Sequence, residues 1–126
     1  MANTETEIVK LDRVTKAFGP TIAVDHVSFN VRKGEFLVLL GPSGCGKTTT
    51  LRTISGFITP DEGSVFIKGK DVTALPPYKR DLSMVFQSYA LFPHMDAFDN
   101  IAFGLRMKKF PRNEIHERVT RALDKV

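Results

Sequence analysis

Eight consecutive residues, Gly41-Pro42-Ser43-Gly44-Cys45-Gly46-Lys47-Thr48, match the pattern G-x-x-x-x-G-K-[ST] in full. The chemistry that calls for these types is capture of a polyphosphate. Such a ligand carries several negative charges and needs many donors converging on it. Glycine lets the backbone wrap closely and turn its N–H groups inward, a conformation that larger side chains obstruct. A helix starting near Lys47 would add its free N–H groups and the positive end of its dipole. Lys47 is then expected to reach the β- and γ-phosphates, and the Thr48 hydroxyl to ligate Mg²⁺. Four fixed positions recur by chance in roughly a few of every thousand chains of this size. The bland competitor, a glycine-rich turn that happens to hold a lysine, is disfavoured by the strand expected before the loop and the helix expected after it.

Cys45 sits inside this loop, beside Lys47 and a helix start, a setting that raises thiol reactivity. The plainer reading, a small residue at an unconstrained position, weighs more for a lone cysteine. If the thiol lies in the nucleotide site, a thiol reagent should block binding and nucleotide should protect the thiol.

The flanking elements must hold the loop. Ile8 to Val14 alternates apolar and polar residues and reads as a half-buried strand. Ala17 to Pro20 reads as a turn punctuated by Gly19-Pro20, and Ile22 to Val31 as a second strand. Phe36 to Leu40 is apolar without alternation, which predicts a strand covered on both faces. Lys47 to Ser55 is expected to be the helix, ended by Gly56. Thr59-Pro60-Asp61-Glu62-Gly63 is a turn signal; Ser64 to Lys68 and Leu82 to Phe86 are further strand candidates. Asp96 to Met107 places Phe98, Ile101, Ala102 and Leu105 on one helical face. Asn113 to Val126 does the same with Ile115, Val119, Ala122, Leu123 and Val126. That second stretch stops without glycine, proline or cap, as expected of a chain cut through an element.

The 126 residues suffice for one small domain, and 42% hydrophobic with 25% charged residues is ordinary for a globular protein. No apolar run approaches the roughly 20 residues of a membrane span. The polar first residues carry no secretory signal, so membrane contact is expected only through a partner. The net charge of +4 is scattered, and its densest group, Arg106 to Arg112, is broken by Phe110 and Pro111. Solvated surface is therefore expected, with no nucleic-acid patch. A single cysteine excludes an internal disulfide and suits a reducing cytoplasm.

Beyond the loop, three segments resemble the ABC-transporter ATP-binding subunits. The first runs from Val24-Asp25-His26-Val27-Ser28-Phe29 through Lys33-Gly34-Glu35 into Leu39-Leu40 and Gly41 to Thr49. The second is Ile54-Ser55-Gly56 with Pro60-Asp61-Glu62-Gly63. The third is Met84-Val85-Phe86-Gln87-Ser88-Tyr89-Ala90-Leu91-Phe92-Pro93-His94. The resemblance implies an α/β P-loop NTPase core of an ABC nucleotide-binding domain, with an antiparallel β subdomain and the start of a helical subdomain, truncated. The β subdomain and core would span about residues 7–87 and the helical start about 88–126. Asn100-Ile101-Ala102-Phe103-Gly104-Leu105 and the third segment look most like importers of polyamines, sugars, sulfate or iron. Pro76-Pro77-Tyr78-Lys79-Arg80 tilts this weakly toward the spermidine/putrescine group.

The same resemblance implies ATP and Mg²⁺ as cofactors, with Gly41 to Thr49 around the phosphates. Phe18 would stack on adenine, where the family commonly has Tyr; its alternative is a turn aromatic packed on the sheet. Gln87 would offer its carbonyl oxygen to Mg²⁺ or the attacking water, making Lys47 and Gln87 the catalytic candidates and Thr48 and Gln87 the metal candidates. Implied partners are transmembrane permease subunits and a second ATP-binding subunit in a homodimer. The implied location is the inner face of the cell membrane. Residues from about Ser88 to Leu105 would receive the permease; equally, Tyr89, Leu91, Phe92, Pro93, Met95 and Phe98 would suit the subdomain's own core. Asp96-Ala97 departs from the usual Thr and β-branched pair, which would weaken the local cap.

The 126 residues contain no Gly-Gly pair for an LSGGQ-type segment. Asp61-Glu62 follows Thr59-Pro60 and no apolar strand, and His26, His94 and His116 lie in other contexts. Binding without turnover is therefore expected of this stretch. Phe36 to Leu40 would also lack parallel neighbours and expose apolar surface. The competing reading is a non-hydrolysing nucleotide-binding or interaction fragment without a transport role. A GTPase or small-molecule kinase is disfavoured by the Gln87 segment and by Phe18.

Overall fold

A computed structural model describes residues 6–126. Strands β1 (Glu7–Phe18) and β2 (Thr21–Arg32) form an antiparallel hairpin. β3 (Glu62–Ile67) pairs antiparallel with the other edge of β1, and the two-residue β4 (Lys70–Asp71) pairs with β3. The sheet order is β2-β1-β3-β4.

The apolar positions of the hairpin explain its irregularity. Val9 and Leu11 share one parity, Val14 the other; Val27 and Phe29 share one parity, Val24 the other. A regular strand would send these to opposite faces. All six nevertheless pack in or against one core, because register shifts interrupt the pairing between Leu11 and Val14 and again between Val14 and Lys16. Arg13 and His26 each take a φ of 47°. Their N–H groups, turned out of the ladder, donate to Ser28 Oγ at 2.8 Å and Thr15 Oγ1 at 3.1 Å. Such bulges re-aim side chains. Leu11, Val14, Val24, Val65, Ile67 and Val72 form the buried core.

Helix α1 (Lys47–Ser55) and a single turn of 3-10 helix (Pro77–Lys79) complete this unit, which ends at Met84. Gly56 stops α1 in the left-handed conformation (φ 91°), and Phe57 N–H donates back to Arg52 O at 2.9 Å. Phe36 to Leu40 and Leu82 to Phe86, both expected as strands, are not strands. The physical reason is pairing: every ladder among the described residues belongs to the antiparallel sheet, and neither segment has a partner strand. Phe36 is 90% and Leu40 88% exposed, as an apolar segment without neighbours must be.

The second unit, Val85–Val126, has its own core. Helices α2 (Ala97–Met107) and α3 (Arg112–Asp124) bury Ala102, Ile115 and Val119, flanked by Phe98, Leu105 and Phe110. The α2 cap is made in spite of the unusual residue there: the Asp96 carboxylate accepts from Asp99 N–H at 2.8 Å. Asn100 fixes the approach to α2, its Oδ1 accepting from Phe92 N–H at 2.8 Å and its Nδ2 donating to Met95 O and Asp96 O. The expected face of α3 is covered only in its first half, since Ala122, Leu123 and Val126 are exposed.

Candidate functional site

The loop from Gly41 to Gly46 runs from an extended segment into α1, and the helix takes its first residue from Lys47. Gly46 is the N-cap, with φ 93°. A Cβ there would lie 2.2 Å from Ala23 O of β2, so any side chain collides with sheet backbone in addition to straining its own. The loop thus meets the β2 backbone at a point only glycine can occupy. α1 has no side-chain cap and no acidic residue in its first turn. Its opening N–H groups have no intrahelical acceptor, the situation that makes a helix start an anion site.

Ala23, Ser43, Gly44, Gly46, Lys47, Thr48 and Thr49 line a cavity of about 380 Å³ at this helix start. Lys47 supplies its one charged side chain. The Lys47 ammonium donates to Gly41 O and, at 2.9 Å, to Pro42 O, and lies 3.6 Å from Cys45 Sγ. It is held against carbonyls of its own loop, which phosphate oxygens would have to replace. The hydroxyls on α1 divide. Thr50 Oγ1 and Thr53 Oγ1 each donate to a carbonyl one turn back, at 2.8 Å. Thr48 lines the cavity, and no side-chain hydrogen bond of its hydroxyl occurs among the described residues.

That arrangement fits a Mg²⁺-polyphosphate. No group of three or more His, Cys, Asp or Glu side chains suited to a metal occurs among the described residues. Mg²⁺ commonly takes one protein oxygen together with phosphate oxygens and water, and Thr48 has an oxygen to give.

Of the residues the sequence points to, the structure brings Ser43, Gly44, Gly46, Lys47, Thr48 and Thr49 together around the cavity. Gly41, Pro42 and Cys45 join through Lys47. Phe18 ends β1, half exposed at 51%, with Lys16 Nζ 5.5 Å from its ring centroid; it is not in the cavity wall. Gln87 is exposed in a turn of the second unit.

Two contributors escape a reading of residue types. Ala23 lines the cavity through its position in β2, and only the glycine opposite it hints at the close approach. Asp61 reads as a turn residue, yet its carboxylate accepts from Ala17 N–H at 2.8 Å and Lys16 Nζ at 2.9 Å, fixing the strand end that carries Phe18. The Ala17 N–H first, and Lys16 after it, hold the Asp61 carboxyl below the usual carboxylate range.

Comparisons with known proteins bear on family and fold. Residues 24–126 match the ABC transporter family. The chain is 55% identical over 119 residues to the spermidine/putrescine import ATP-binding protein PotA of Bacteroides fragilis (strain YCH46), covering 94% of this chain and 26% of that protein. It is 56% identical over 118 residues to the PotA of Legionella pneumophila strain Philadelphia 1, covering 94% of this chain and 32% of that one. The chain therefore spans about a third or less of the length of these curated relatives. A dimeric ATP-binding cassette solved in a post-hydrolysis state bound to ADP and Pi is 32% identical with a TM-score of 0.81, covering 93% of this chain and 56% of that one. A nucleotide-free ATP-binding cassette from an ABC transporter is 41% identical with a TM-score of 0.55, over 56% of this chain and 28% of that one. With a phosphate-type loop on α1, an antiparallel sheet beside it and a family match across most of its length, the chain belongs to the ABC transporter family and has the fold of its ATP-binding cassettes.

Proposed function

We propose that this chain is part of the ATP-binding subunit of an ABC importer, coupling ATP binding and hydrolysis to uptake of polyamines. The observation that carries nucleotide binding is the cavity at the start of α1, with Lys47 as its charged wall and Thr48 beside it. The polyamine assignment rests on the identity to spermidine/putrescine import proteins. In this reading the loop from Gly41 to Thr49 cradles the phosphates, every residue but Pro42 having an N–H to offer, and Lys47 neutralises them. Thr48 holds Mg²⁺, whose charge offsets that of the terminal phosphates. Phe18 offers its exposed ring to adenine, and Gln87 its side-chain oxygen to the metal or the water. Residues 7–87 act as β subdomain and core, and 88–126 as the start of the helical subdomain. Partners are transmembrane permease subunits and a second ATP-binding subunit, at the inner face of the cell membrane. No helix among the described residues is long and apolar enough to cross a membrane, so attachment would run through the permease.

The first test is Mg-ATP binding and hydrolysis by the 126-residue chain, with Lys47→Ala as control. Binding that needs Lys47, with negligible turnover, is the expected result. Turnover that depends on Lys47 would disprove the account of the catalytic groups, and folded chain without binding would disprove the site. Loss of labelled spermidine uptake on introducing Lys47→Ala into the full-length protein in cells tests the substrate; unchanged uptake argues for another solute.

A further inference from the structure

Arg80 is the one charged residue buried among the described residues, at 5% exposure, and among those residues it forms no ion pair with a carboxylate. Its guanidinium instead spends its donors on backbone carbonyls from two separate segments. Nη1 donates to Thr53 O at 2.8 Å and Ile54 O at 2.7 Å, at the C-terminal end of α1. Nε donates to Leu75 O at 3.0 Å and Nη2 to Thr73 O at 3.2 Å, in the turn after β4. A positive charge at a helix C-terminus is favoured by the dipole, and a planar fork can serve several acceptors at once where an ammonium cannot. Gly56 makes room for it: a Cβ at that position would lie 2.8 Å from Arg80 Nε.

The need for such a clamp follows from what α1 buries. Its buried residues are Thr50, Thr53 and Ser55, all polar, and their hydroxyls return to backbone carbonyls one turn back. Leu51 is 48% exposed. Ile54 is the one apolar residue of α1 packed against the sheet core. A helix with so little apolar attachment needs another means of holding its angle. Its two ends are held differently: Gly46 abuts Ala23 at the start, and Arg80 ties the end to the 73–75 turn.

We propose that Arg80 is a positioning residue for the phosphate site, fixing α1 from its C-terminal end so that the N–H groups at its N-terminal end converge on one point. The inference rests on the nucleotide reading of that site. Arg80 touches no part of the cavity and acts through the helix, about two and a half turns long at 3.6 residues per turn.

The experiment uses the full-length protein and a fluorescent ATP analogue with Mg²⁺. Arg80→Lys and Arg80→Gln are measured below the onset of melting of each, so that loss of folded protein does not enter. About tenfold weaker nucleotide binding is expected in both, the Lys form retaining more because it keeps the charge but not the fork. A folded Arg80→Lys protein binding within twofold of wild type overturns the proposal while leaving nucleotide binding intact. No binding by the wild type overturns both. Hydrogen exchange on the wild type is decisive even if the substituted chains do not fold. Nucleotide at one end of a clamped helix should slow exchange of the Gly56, Phe57 and Ile58 amides, which close the other end onto Arg52 and Thr53 carbonyls. Unchanged exchange there overturns the proposal.

Discussion

At the scale of single residues, Gly46 and Asp61 make opposite kinds of contribution. Gly46→Ala forces a non-glycine residue into the left-handed region, about 1–2 kcal/mol, before counting the collision with Ala23 O. The loop must move to relieve it, so nucleotide affinity should fall at least tenfold by titration, with the sheet still folded by circular dichroism. Asp61 acts through charge. Its carboxyl is held below the ordinary value in the folded state, so its contribution is complete above about pH 4 and is lost as pH falls through the lowered value. The melting temperature of the wild type should therefore drop more steeply below pH 4 than that of Asp61→Asn. Parallel acid limbs would show that the Ala17 and Lys16 bonds carry no such weight. The contrast also explains legibility. Gly46 and Lys47 are fixed by local chemistry within eight residues and are readable as a pattern. Asp61 and Arg80 act on segments 44 and 26 or 27 residues away, which no local pattern encodes.

At the scale of elements, β1, β2, β3, α2 and α3 follow from periodicity, because each is partly buried and its apolar pattern marks the covered side; α1 is legible from the loop before it and Gly56 after it, since the residues it buries are polar. Phe36 to Leu40 and Leu82 to Phe86 mislead for the converse reason: an unbroken apolar run reports expected burial on both faces, and a strand needs a partner ladder to exist. β4 and the 3-10 turn are too short to carry a period. The bulge at Arg13 and His26 is legible only in hindsight, as the parity break between Leu11 and Val14. Element packing carries its own forecast. Leu11→Ala at the centre of the sheet core should cost about 2–5 kcal/mol in urea denaturation. A conservative loss below 1 kcal/mol would mean that α1 and the loops, not the sheet, dominate stability.

At the scale of the whole molecule, two units with separate cores invite separate responses. Val119→Ala, at the centre of the α2–α3 pair, should destabilise the second unit by about 2 kcal/mol. Nucleotide affinity at the α1 cavity should change by less than twofold if the two units, each with its own core, respond independently. A larger change would mean that the two units are energetically coupled. Surface chemistry gives a second whole-molecule forecast. Phe36, Leu40, Val85 and Leu91 are all at least 70% exposed, a composition of surface that favours association. Phe36→Ser with Leu40→Ser should lower binding of a hydrophobic dye and raise the concentration at which the 126-residue chain precipitates.

The hydroxyl-lined underside of α1 also has a calorimetric consequence. Heat-capacity change on binding reports apolar surface withdrawn from water. Thr50, Thr53 and Ser55 contribute hydroxyls already bonded to carbonyls one turn back, and Ile54 is the one apolar residue of α1 packed against the sheet core. If nucleotide tightens α1 against the sheet, that tightening withdraws little hydrocarbon, so the heat released on binding should vary only weakly with temperature.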